Sequence, residues 1–131
     1  MNAITRLAAA VAILAALLVG PALAGSMEGR FGNTVVSTYP DGSTMKVFYN
    51  KDGTLSAKLT QGAKVTDTTG KWRVDGANVC LTMQATVAIF EAAKERCVVL
   101  NGDKVGDKWQ ITAKDASGKD ITVNATIVAG R

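Results

Sequence analysis

The sequence predicts an all-β protein: a small antiparallel up-and-down barrel, or a strongly curved meander sheet, of about eight strands, with a short helical insert between the two cysteine-bearing strands. Three observations carry this expectation. From Tyr39 onward, glycine-containing turn signals punctuate the chain at short intervals. The runs between them alternate apolar and polar side chains, as a sheet with one buried face requires. The only two cysteines, Cys80 and Cys97, flank the one segment that shows neither feature. A two-sheet sandwich would fit the same single-face pattern and stays open as the alternative.

The N-terminus comes first. Met1 to Arg6 carries one positive charge, and Leu7 to Val19 is an unbroken apolar run of 13 residues. Gly20-Pro21 ends the run, and Ala22-Leu23-Ala24 supplies the small residues that a signal peptidase cuts behind. This predicts a cleaved signal peptide over residues 1–24 and a mature domain over residues 25–131. The competing reading, a membrane anchor, needs about 20 apolar residues. No cysteine follows the run to carry a lipid. The expected location is the periplasm or the medium, with no stable membrane anchor after cleavage.

The mature chain of 107 residues allows one domain with a modest core. Its first residues, GSMEGRFG, read as a flexible lead-in. Its balance is +3, from 14 Lys+Arg against 11 Asp+Glu, with the basic residues scattered singly. A nucleic-acid surface needs a basic stripe with interleaved aromatics, so no nucleic-acid partner is expected.

The turn signals are Tyr39–Ser43, Asn50–Thr54, Thr68–Lys71, Val74–Asn78, Leu100–Lys104 and Asp115–Asp120. Each holds a Gly, and the Asp-Gly and Asn-Gly pairs are strong hairpin signals. Asp41, Asp52 and Asp75 beside those glycines are explained by side-chain bonds within the turn. Between the turns, Leu55, Ala57 and Leu59 share one face, as do Trp72 with Val74, and Val79 with Leu81 and Met83. Further on, Trp109, Ile111 and Ala113 share a face, followed by Ile121, Val123, Ala125 and Ile127.

Gln84 to Glu95 breaks the pattern. It is Ala-rich, has no turn residues, and reads as one or two helical turns or a long loop. It would serve as a lid, a plug or an interaction patch. The strands on either side of it carry Cys80 and Cys97. In a secreted chain an even cysteine count reads as a disulfide. Closing a loop of about 16 residues is worth about 3 kcal/mol in the chain-entropy model.

The absent chemistry is as informative. There is no histidine, which removes the usual triads, most acid–base devices and ordinary zinc sites. There is no phosphate-binding glycine loop and no calcium-loop pattern. No catalytic residue, cofactor or metal is expected, and the protein is read as a non-enzyme. Trp72, Met83, Val87, Ile89, Phe90 and Trp109 are the candidate contact residues. They would fill the core or line a soft apolar pocket. The expected function is a binding module for a small apolar or amphiphilic ligand. The alternative is a proteinaceous inhibitor or an envelope protein–protein interaction module.

GNTVV, NKDGTL, TGKWRVDGANVCL and RCVVLNGDK form a G-x-W-x-V-x-G-x-x-x-C strand pair followed by a second Cys. On these motifs Gly32 to Gly118 resembles a domain family of unknown function found in small exported proteins of Gram-negative bacteria, especially alphaproteobacteria. The resemblance implies an exported β domain and transfers no catalytic residue. The layout is more loosely similar to periplasmic β-barrel inhibitors of proteases and lysozymes, in architecture alone.

The mass of the exported protein checks these expectations. Intact mass spectrometry should give residues 25–131 less two hydrogens; two labelled thiols would contradict the staple.

Overall fold

The computed structural model describes residues 25–115 and 117–131. The expected signal peptide, residues 1–24, lies outside the described residues. A single 3-10 turn, Glu28–Arg30, precedes eight strands. These are β1 (Thr34–Thr38), β2 (Thr44–Tyr49), β3 (Thr54–Gln61), β4 (Lys64–Asp75), β5 (Asn78–Met83), β6 (Glu95–Val99), β7 (Lys108–Lys114) and β8 (Asp120–Val128). All pairings are antiparallel, in one sheet of order β6-β5-β4-β3-β2-β1-β8-β7.

That order decides the shape. The sheet curls until β1 and β8 meet, with Thr34 opposite Val128 and Thr38 opposite Asn124. The two strands left without a second partner are β6 and β7, which are consecutive in sequence. The result is a nearly closed up-and-down barrel with one seam, between β6 and β7. Side chains respond to it. Leu55, Ala57 and Leu59 on β3 and Val123, Ala125 and Ile127 on β8 are fully buried, whereas Thr66, Thr68 and Trp72 on the doubly paired β4 and Ile121 on β8 are only partly so. On the seam strands the inward residues Arg96, Val98, Trp109 and Ile111 are only half-buried.

The disulfide joins Cys80 to Cys97, directly opposed on β5 and β6. Both point away from the barrel interior, since Val79, Leu81 and Met83 take the inward positions of β5. On the same outer face Arg73 donates to both oxygens of Glu95 at 2.8 and 2.7 Å. The bond therefore fastens an edge strand that has a ladder on one side only. It also places the domain in an oxidising, non-cytoplasmic setting. No helix of the described residues is long and apolar enough to cross a membrane.

Five expectations need correcting. Residues 84–94 form no helix; they make consecutive tight turns, with Ala88 and Ala93 at φ +53° and +62°. Isolated helices of this length are marginal without packing. Here the core takes Val87 and Phe90, which face each other across a small loop (Val87 N to Phe90 O and Phe90 N to Val87 O, both 2.9 Å). Thr68–Lys71 is no turn but the middle of the long strand β4. Its glycine serves close approach instead: a Cβ on Gly70 would lie 2.3 Å from the Thr82 carbonyl oxygen. The turn falls earlier, at Gly62-Ala63, where Gln61 pairs with Lys64. The lead-in residues 25–33 are structured, and Met27 and Arg30 are buried. Val74 lies beyond the core and is exposed. Asp41 and Asp52 do accept turn bonds, from Ser43 and Thr54, whereas Asp75 faces Arg73 at 3.9 Å.

The Gly70 approach gives a direct test. Gly70→Ala should cost about 1–3 kcal/mol, as overpacking against fixed backbone does, read from the urea midpoint. Thr69→Ala, on the exposed face next door, should stay within about 0.5 kcal/mol. Equal effects would contradict the assignment.

Candidate functional site

Each end of the barrel is closed by a different segment. At the end holding the β1–β2, β3–β4 and β7–β8 turns, the stop is the segment between β5 and β6. Phe90 and Val87 fill the interior there, beside Met83. Its backbone is satisfied by the sheet: Gln84 N donates to Thr69 O at 3.0 Å, Ala93 N to Met83 O at 2.7 Å, and Arg96 Nη1 to Ile89 O at 2.8 Å. The segment between the cysteines is thus a plug.

At the opposite end the plug is the N-terminal segment. Gly25 N donates to Leu100 O at 2.9 Å and Ser26 N to Gly102 O at 3.2 Å. Backbone meets backbone so closely that a Cβ on Gly29 would fall 2.1 Å from Asp103 O. The 3-10 turn then sends Arg30 inward, with 3 % of its surface exposed. Its guanidinium lies between two aromatic rings, 5.4 Å from the Tyr49 centroid and 5.2 Å from that of Trp109. Nη2 donates to the Asn101 carbonyl.

Between the plugs is a cavity of about 40 Å³. Val35, Met45, Val47, Leu81 and Val123 line its floor; Val98, Val99, Trp109 and Ile111 line the side toward the seam. Its polar groups are Arg30, Ser37, Tyr39 and Tyr49, with no carboxylate among the lining residues. Such a space holds a few waters, whereas drug-sized ligands take roughly 300–1,000 Å³.

The six residues singled out from sequence divide by position. Ile89, Phe90 and Trp109 line this cavity. Met83 and Val87 are fully buried in the core, away from the lining. Trp72 sits at the N-terminal plug, its ring against Phe31 and edge-on to Tyr49, its Nε1 donating to Asn50 O at 2.8 Å. Arg30, Tyr39, Tyr49 and Val98 were missed. Alternation with Met45 and Val47 marks Tyr49 as inward; nothing local marks Arg30.

One cluster has metal-ligand chemistry among the described residues: Cys80, Glu95 and Cys97. The two sulfurs are bonded to each other and Glu95 is held by Arg73, so no donor there is free.

Burial raises both tyrosine hydroxyls above the ordinary value of 10.0; Tyr49 adds to the rise of Tyr39, and the Arg30 charge opposes that of Tyr49. The folded state therefore holds protons that the unfolded state releases. Stability is full below the unfolded pKa near 10 and is lost as pH rises toward the folded values. Phenolate absorbance tests this cleanly, since these are the only two tyrosines. Less tyrosinate should form at pH 10 than in the unfolded chain, and the remainder should appear together with unfolding at higher pH. Independent titration of either tyrosine in the folded protein would contradict the burial.

Comparison with protein-family models, with curated proteins and with solved structures gives no match.

Proposed function

We propose that the protein is an exported, non-catalytic barrel that takes a small apolar or amphiphilic ligand into its interior through the seam between β6 and β7. The observation that carries this reading is the seam itself. Val98, Trp109 and Ile111 point inward, keep a minor part of their surface exposed, and continue without a break into the apolar cavity lining. Parting two unpaired edges breaks no ladder, so the interior is reached at lower cost here than through any paired strand. The two plugs restrict access from the barrel ends. The signal-peptide pattern, the disulfide and the resemblance to small exported domains support a periplasmic or secreted location. The missing histidine and the carboxylate-free cavity support a binder over an enzyme.

A second reading is an inhibitor or envelope interaction module. The groove beside the plug favours it. This space, lined by Ala88, Ile89 and Ala92 among the charges of Glu91, Lys94 and Arg96, is open on the surface.

Titration with decanol, a neutral amphiphile, followed by tryptophan fluorescence and amide exchange, separates the two. Saturable binding with protection gained on β6 and β7 is expected. Ile111→Trp, which fills the seam, should weaken it at least tenfold, about 1.4 kcal/mol. Exchange changes confined to residues 84–94 would favour the second reading, and no binding of decanol or of its carboxylate analogue would overturn the first.

A further inference from the structure

We propose that Arg30 is an anion-binding residue, and that the ligand of the cavity presents a carboxylate to its guanidinium; this rests on the seam-entry reading above. Arg30 is nine-tenths buried or more and lines the cavity. A guanidinium keeps its charge in any protein setting, so burial cannot be relieved by losing a proton. Buried charges are ordinarily paired. None of the ion pairs among the described residues includes Arg30. Its Nε is buried with no hydrogen-bond acceptor. The carbonyl of Asn101 takes one proton, the Tyr49 hydroxyl lies close enough to interact with the guanidinium, and the Tyr49 and Trp109 rings offer their faces. Those contacts hold the side chain in place; none supplies a negative charge.

No Asp or Glu lines the cavity to balance Arg30. At the far end the charges of Arg96 and Asp41 both reach Tyr39 and oppose each other there. A carboxylate accepts from a guanidinium through two oxygens and would satisfy Nε together with the charge. A water would satisfy Nε alone. The apolar walls toward Val98 and Ile111 then give any tail a path out to the seam.

The same chemistry has two sources, a tailed amphiphile or a small free acid, and matched ligands distinguish them. The oxidised mature protein is titrated at neutral pH with decanoate, decanol and acetate, read by tryptophan fluorescence and by melting temperature. Decanoate is expected to bind at least tenfold tighter than decanol. Arg30→Gln should erase that difference and keep decanol binding, and Arg30→Lys should restore part of it. Acetate binding as tightly as decanoate would assign the site to small acids; weaker acetate assigns it to tailed ones. Should Arg30→Gln fail to fold, the pH dependence decides: decanoate affinity must fall as its carboxylate protonates while decanol affinity stays level. Equal binding of decanoate and decanol overturns the anion site and leaves the seam reading standing. No binding of decanoate or decanol, with no melting shift from acetate, overturns both.

Discussion

The structure depends on the pairing of β1 with β8. Those five opposed residue pairs bring the two ends of the domain into one ladder and turn a meander into a barrel. Thr34 and Asn33 add to the join by binding Gly130 through their side chains. Once β8 is committed to β1, β7 follows on its far side, and the sheet's discontinuity moves to β6 and β7. The connection between them explains why they do not pair. It leaves β6 at Leu100, which is buried, and runs across the barrel end beneath the N-terminal segment. Gly102 lies under the Trp109 ring there, in a conformation with φ +81° that a Cβ would fill with collisions. The loop is thus tied to the plug and not drawn into a hairpin.

The disulfide gains its meaning from that arrangement. An edge strand with one neighbour is the easiest part of a sheet to peel away. Fastening β6 to β5 stiffens one lip of the seam, while β7 depends on its ladder with β8. The plug between the cysteines is anchored by the same bond, because both its ends leave from the fastened strands. A single crosslink therefore steadies the plug at one end of the barrel and one edge of the seam.

Much of this was legible in the residues. Period-two alternation gave the inward face of β3, β5, β7 and β8, and the Asp-Gly turns gave the hairpins on either side of β2 and at Gly76-Ala77. The errors have physical causes. Gly70 carries a turn signal in the sequence because a glycine that permits close approach reads like one that permits a bend. The Ala-rich composition of residues 84–95 points to one or two helical turns or a long loop because it reports local preference, and burial of Val87 and Phe90 outweighs the helical option. The candidate site was half visible: Ile89, Phe90 and Trp109 carry an apolar signal, but Arg30 sits in a stretch with no periodicity. Its burial follows from contacts with Asn101, Tyr49 and Trp109, all distant in sequence, and no local pattern reports such contacts.

The seam between β6 and β7 is the claim on which the proposed function rests. Residue-resolved hydrogen exchange of the ligand-free, oxidised protein measures it most directly. The account gives uniform slow exchange on β1 and β8, and an alternating pattern on β6 and β7, where amides bonded to β5 or β8 are slow and those facing the gap are fast. Uniformly slow amides along both β6 and β7 would show those strands paired and the barrel shut, and would contradict entry between them.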